Sequence, residues 1–263
     1  MNLGRKQAHP ESGAWTDAMR RAREAIDRAD LDRLIDQTVD RVRREKQRGR
    51  LAYGWSGGKD SQALRFVMEQ AGVDLAVLGM TVGLEWPAML RWQTDHLPLG
   101  CDIIARPLDL AWLRAHPAML FPQGRYGPHW FHIVQHASQR LYVKRERVAV
   151  LALGRRRKDG NYVGPPGEDR YRDKHGTTRW APLADWTHEE VFALLDAYRL
   201  PLPPCYDWPR GYQVGTGAWP ARQFTRNPDQ GFAESWTIDA SVIRAAAPEL
   251  PAAAAWMARR GLT

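Results

Sequence analysis

Leu51-Ala52-Tyr53-Gly54-Trp55-Ser56-Gly57-Gly58-Lys59-Asp60-Ser61 is the stretch on which the fold turns. A short apolar run leads into two adjacent glycines, and Leu64, Val67 and Met68 then recur at helical spacing before Gly72. The pattern predicts a strand over 51–55, a tight turn, and a helix over 61–70. Glycines let the backbone come close to a phosphate, and the N–H groups of such a turn and of the helix start present positive potential to an anion. Ser56 and Ser61 offer hydroxyl donors, and Lys59 a point charge for a phosphate oxygen. Asp60 suits such a place if it helps to hold Mg²⁺ through its oxygens. The competing reading is a plain strand-to-helix turn capped by Asp60 or Ser61. The spacing G-x-x-x-x-G-K-[ST] is missing, so the loop is not of Walker A type.

Working outward, apolar runs at 75–80, 102–105 and 148–153 predict three further strands. Helices are expected over 14–48 (Asp30 as a possible cap for a second piece), from Trp86-Pro87 onward, over 130–147 and over 187–198. Thr187 with Glu190 forms a capping-box pattern at the start of the last of these. Alternating strands and helices imply a doubly wound α/β fold with a mostly parallel sheet, whose ligands bind at the carboxyl ends of the strands. Residues 1–48 read as an N-terminal helical extension, 49–200 as the nucleotide-binding domain, and 201–263 as a C-terminal region. The frequent prolines and glycines after Pro201 suggest an ordered lid. A helix over 241–259 is expected to be split by Pro248 and Pro251.

The chain has 263 residues, 38 Lys and Arg against 30 Asp and Glu, a net charge of +8, and a pI near 9.8. A basic surface suits polyanionic partners, nucleotides first and nucleic acid second. The basic run 41–50 reads as a solvated helix face, with nucleic-acid binding as the alternative. Two cysteines, Cys101 and Cys205, form no CxxC pair, which argues against a disulfide framework or structural zinc. His129, His132 and His136 share a helix face without an acidic or Cys partner, so a helix-surface reading is preferred to a metal site. The twelve tryptophans are expected in the core and in groove walls. No apolar run approaches membrane-spanning length, and the polar start at 1–11 lacks a signal-peptide core, so a cytoplasmic protein is the default.

At Ser56–Ser61 the sequence resembles the PP-loop ATP pyrophosphatase superfamily, whose loop reads SGGxDS. It is similar to the branch that holds the phosphoadenylyl-sulfate (PAPS) reductases, the small subunit of sulfate adenylyltransferase and the ATP pyrophosphatases of DNA phosphorothioation. The branch's D-T-G-x-x-F-P-E segment corresponds to Thr81-Val82-Gly83-Leu84-Glu85-Trp86-Pro87-Ala88. Gly83 and the Trp86-Pro87 pair match, while Thr81 and Ala88 replace the acids and Glu85 is a candidate substitute. After the fourth strand, Gly154 precedes Arg155-Arg156-Arg157-Lys158-Asp159, in which Arg156 and Arg157 fall on the branch's arginine pair and suit phosphate or sulfate. Trp180–Thr187, Pro204-Cys205-Tyr206-Asp207 and Gly211–Gly215 also resemble branch motifs, so the likeness covers about 49–217.

The resemblance implies an enzyme that binds ATP and Mg²⁺ and cleaves between the α and β phosphates, adenylylating an acceptor and releasing pyrophosphate. Ser56, Gly57, Gly58, Lys59, Asp60, Ser61, Gly83 and Gly154 would bind the nucleotide. Lys59, Asp60, Arg156 and Arg157 would carry the chemistry, with Asp60 on the metal. The acceptor (sulfate, a nucleobase or a DNA-modification substrate) is open, as are nucleic-acid and protein partners. PAPS reductases carry a catalytic Cys in an E-C-G-[LI]-H tail that does not occur in this sequence. A reductase reading would therefore need a partner's thiol, and a non-catalytic nucleotide- or nucleic-acid-binding module is the third reading.

Overall fold

The computed structural model describes residues 14–223 and 225–262; the polar stretch 1–11 lies outside them. Two helices open the fold, α1 (Ala14–Ala25) and α2 (Arg28–Arg48). Asp27, not Asp30, caps α2, accepting from the N–H groups of Ala29 and Asp30. Asp30 instead falls in the first turn, where a carboxylate is favoured by the helix dipole.

Then follow β1 (Leu51–Gly54), α3 (Lys59–Gln70), β2 (Ala76–Thr81), α4 (Pro87–Asp95), β3 (Cys101–Arg106) and α5 (Leu110–Ala115). A π-helical stretch at Phe131–His136 runs into α6 (Ala137–Glu146), and β4 is Val150–Ala152. A hairpin of β5 (Arg170–Arg172) and β6 (Thr178–Trp180) precedes α7 (His188–Ala197). The short α8 (Gly211–Val214) is followed by α9 (Pro228–Ala246) and α10 (Pro251–Arg259). The Thr187–Glu190 capping box forms as its spacing predicts, and the break between α9 and α10 falls at the two prolines.

The six strands lie in the order β3-β2-β1-β4-β6-β5, all parallel except β5, which runs antiparallel to β6. The chain builds outward from β1 through β2 to β3, then crosses back to place β4 on the other side of β1, with Leu51 beside Val150 and Tyr53 beside Ala152. Loops leaving β1 and β4 therefore diverge at the sheet's carboxyl edge, which is the usual ligand crevice of such folds. Two elements depart from expectation. The hairpin's strands are three residues each and rich in Arg, and α9 begins at an Asn227 cap with Pro228 in its first turn, inside a segment read as a lid.

One continuous apolar cluster holds the parts together. It includes Leu31, Ile35 and Val39 of α2, Leu64 and Val67 of α3, Phe192 and Leu194 of α7, and Ile243 and Trp256 from the last two helices. Trp86, Trp180, Trp219 and Trp256 are fully buried, as expected of the core. The basic run is tied down locally: Lys46 donates to Gly72 O at 2.6 Å and Arg50 to Glu146 at 2.7 Å. Among the described residues no helix is long and apolar enough to cross a membrane.

Candidate active site at the β1–β4 switch point

The loop 56–61 opens into a cavity of about 220 Å³ at the carboxyl ends of β1, β2 and β4. Ser56, Gly58, Lys59, Asp60 and Ser61 line it, with Gly154 and Arg155 from the loop after β4. The far wall comes from Phe131, Gln135 and Gln139, and the C-terminal region closes over it with Tyr206, Tyr212 and Thr216.

Local forces shape the loop. Ser61 Oγ donates to Gly58 O at 2.9 Å and accepts from Ser56 N at 3.2 Å. Gly57 adopts φ +83°, and a Cβ there would meet the Trp92 ring at 2.4 Å. Gly154 must also lack a side chain, because a Cβ would lie 2.8 Å from Asp60 O. That close approach lets β4's loop press against the start of α3. Gly58, the N-cap of α3, gives its helix no side-chain acceptor, and the N–H of Lys59 instead donates to the Tyr206 hydroxyl at 2.8 Å. A helix start facing a cavity without an acidic cap is a favourable anion site.

Behind the loop lies a buried ion network. Lys59 Nζ reaches Asp60 Oδ2 at 2.6 Å and Asp159 Oδ2 at 3.1 Å, and stands 5.5 Å from the Tyr212 ring centre. Arg156, with no exposed side-chain surface, donates to Asp60 Oδ1 at 2.7 Å, Asp159 Oδ2 at 2.9 Å and Trp186 O at 3.0 Å. Its Nη2 also meets His188 Nδ1 at 3.0 Å, so that nitrogen accepts and the ring is neutral. Burial, then the Arg156 charge, lowers the pKa of His188. Burial opposes ionisation of Asp60, yet the charges and hydrogen bonds of Lys59 and Arg156 hold its carboxyl well below the usual range. Asp159 Oδ1 is buried without a hydrogen-bond partner.

Residues 50–215 match the family model of the phosphoadenosine phosphosulfate reductase domain. The chain belongs to that family. Phosphoadenosine 5'-phosphosulfate reductase of Xanthomonas campestris pv. campestris (strain B100) is 26% identical over 162 residues, 60% of this chain and 65% of the relative. The enzyme of the same name from Xanthomonas oryzae pv. oryzae (strain PXO99A) is 25% identical over the same shares. The match thus spans a little under two thirds of these relatives' length. A solved PAPS reductase from Candida auris, in a phosphate complex, superposes with a TM-score of 0.50 at 14% identity, covering 74% of this chain and 96% of that one. It shares the fold.

Within this PAPS reductase domain, the residues expected from sequence divide into two groups. Ser56, Gly58, Lys59, Asp60, Ser61 and Gly154 meet at the cavity. Arg156 and Arg157 do not line it. Arg156 is consumed by the network beneath the loop, and Arg157 turns away to pair with Asp185 and the carbonyl of Glu168. Arg155, one position earlier, is the arginine that enters the cavity. Gly83 is exposed and does not line the cavity. Glu85 folds back to accept from Thr81 N at 2.7 Å and Thr81 Oγ1 at 2.8 Å, and burial raises its pKa.

The acidic groups do not fit a resident Mg²⁺ on Asp60. Both Asp60 oxygens and one Asp159 oxygen already face Lys59 and Arg156, so two cations offset the two carboxylates. Among the described residues no group of three or more His, Cys, Asp or Glu gathers to hold a metal. His129 and His132 are exposed, whereas His136 is half-buried against Arg155. The residues that sequence reasoning left without a role are Arg155, His136, Phe131, Tyr206 and Tyr212. The two tyrosines lie in segments whose resemblance was visible; His136 was marked only by its spacing from His129 and His132, and nothing in the sequence marked Phe131.

Proposed function

We propose that this PAPS reductase family domain is a PP-loop enzyme that binds ATP and transfers its adenylyl group to an acceptor. The carrying observation is the start of α3, whose N-cap Gly58 supplies no side-chain acceptor and whose first residue is Lys59, facing a cavity at the switch point of a parallel sheet. The N–H groups of the loop would hold the leaving pyrophosphate, with Ser56 and Ser61 as hydroxyl donors and Lys59 offsetting its charge. An acceptor oxygen attacks the α phosphorus; the bond to that oxygen forms, the α–β bridging bond breaks, and pyrophosphate leaves with the bonding pair. Mg²⁺ enters chelated by the nucleotide's own phosphates, as part of the substrate. Arg156 serves by fixing Asp60, Asp159 and Lys59 in place.

The relatives' name favours a second reading, reduction of a sulfonucleotide. Cys205 is fully buried, and Cys101 sits at the edge of β3 with its thiol pushed up to about 12 by burial and by Asp102. Neither lines the cavity. That chemistry would need a thiol from a partner. Exchange of labelled pyrophosphate into ATP, with candidate acceptors added singly, supports adenylyl transfer. Sulfite release from a sulfonucleotide with an added thiol, without exchange, would establish the second reading.

A further inference from the structure

The loop after β4 brings to the cavity wall a cation with no carboxylate partner among the described residues. Arg155 is half-buried, and its guanidinium meets only neutral groups. Nη1 donates to the Tyr171 hydroxyl at 2.8 Å and to Tyr162 O at 3.3 Å, and Nη2 meets His136 Nε2 at 3.0 Å. The Phe131 ring lies 5.7 Å from its central carbon. Among the described residues no carboxylate lies within the 4.0 Å of an ion pair, whereas the adjacent Arg156 has two and Arg157 one. Burial, and then the nearby charge of Arg179, act against the charged state of Arg155, with Tyr171 opposing them.

The neutral partners are organised to keep that fork in place. His136 Nε2 accepts from Arg155, so the ring proton sits on Nδ1, which faces His132 Nδ1 at 3.1 Å. The Tyr171 ring is in turn packed edge-on against Tyr162 at 4.9 Å. A guanidinium held rigidly by three neutral groups costs free energy in a partly dry cavity and retains N–H donors for a ligand oxygen. Such a group favours a tetrahedral oxyanion, which guanidinium binds through paired hydrogen bonds.

We propose that Arg155, braced by His136 and Tyr171, forms a second oxyanion subsite that takes a sulfate or phosphate group of the co-substrate, separate from the phosphates held by the loop. Its assignment to the co-substrate rests on the nucleotide reading of the loop. The division of labour is physical: the loop binds through N–H groups and Lys59, and Arg155 binds from the β4 side of the same cavity.

The test is calorimetric titration of the full chain at constant ionic strength with sodium sulfate, and separately with inorganic phosphate. Each is run with and without saturating α,β-methylene-ATP, which cannot be cleaved between those phosphates. Sulfate or phosphate should bind in the presence of the nucleotide analogue, and the tighter of the two identifies the group. Arg155→Gln should weaken that anion at least tenfold and change analogue affinity less than twofold; Arg155→Lys should fall between. Competition between anion and analogue, no anion binding by the parent, or equal anion affinity in folded Arg155→Gln would each overturn the subsite. If the analogue fails to bind while the anion binds through Arg155, the ATP reading falls and the oxyanion receptor stands.

Discussion

Arg156 Nε lies 2.7 Å from Asp60 Oδ1, and the arginine that makes this contact has no exposed side-chain surface. The two residues join the loop after β4 to the phosphate loop after β1, so the site's geometry depends on this ion pair. Removing one partner of a buried network leaves charges uncompensated, at a cost of about 3–5 kcal/mol. Arg156→Ala should destabilise the fold by that order in urea unfolding. Arg157→Ala should cost under ~1 kcal/mol, because Arg157 is partly exposed and its partner Asp185 is 80% exposed. Similar losses in both variants would refute the division between a buried strut and a surface pair.

The two glycines of the loop should fail for different reasons. Gly57 needs its positive φ of +83°, and an added methyl would strike Trp92. Gly57→Ala should therefore lower stability by about 1–2 kcal/mol, read from the urea midpoint. Gly58 has an ordinary φ of −65°, and the nearest atom to an added Cβ is the Tyr206 hydroxyl at 3.5 Å. Gly58→Ala should melt like the parent yet bind ATP at least tenfold more weakly, since its methyl occupies the cavity wall. Parental ATP affinity in Gly58→Ala would remove the phosphates from this loop.

How far the sequence carried is visible at these same positions. The strand–SGGKDS–helix junction and the capping box at Thr187 were legible because their signals are local: apolar spacing, turn glycines, and a side chain three residues from its backbone partner. The roles of the arginines were not. Three consecutive arginines are equivalent in sequence, and only the twist of the chain after β4 sends Arg155 into the cavity, Arg156 beneath it and Arg157 outward. The partners that settle this, Asp60, Asp185 and Tyr171, are 96, 28 and 16 residues away. The β5–β6 hairpin was missed for a related reason: Arg170 of β5 is held by an ion pair to Glu45 of α2 and lies over the Trp180 ring of β6, contacts that no local pattern signals.

Thiol chemistry should be dispensable. Burial pushes the Cys205 thiol far up, and at the pKa of about 12 given to Cys101 by burial and Asp102 only ~1 in 10⁴ of that thiol is ionised at pH 8. A Cys101→Ala, Cys205→Ala variant should keep the nucleotide-dependent activity of the parent. Iodoacetamide at pH 8 should leave the folded parent unlabelled over a time that labels both cysteines in urea. Loss of activity in the folded double variant would return a thiol to the mechanism.

The pH dependence of stability should carry the signature of His136. Burial first, and then the charges of Arg155, Arg179 and Arg140 with neighbouring His132, lower its pKa from 6.5 to about 4 in the folded protein. The unfolded chain binds this proton near the ordinary value of about 6.5. Between those values the unfolded state holds more protons, so stability rises with pH across the window. The contribution is therefore complete above about pH 6.5, declines as pH falls toward 4, and changes no further below that. His136→Gln keeps an oxygen acceptor for Arg155 and removes the titration. Urea midpoints at pH 7.5 and pH 5.0 should differ less in this variant than in the parent. An equal drop in both proteins would mean that His136 titrates alike in the folded and unfolded chains, and that Arg155 exerts no force on it.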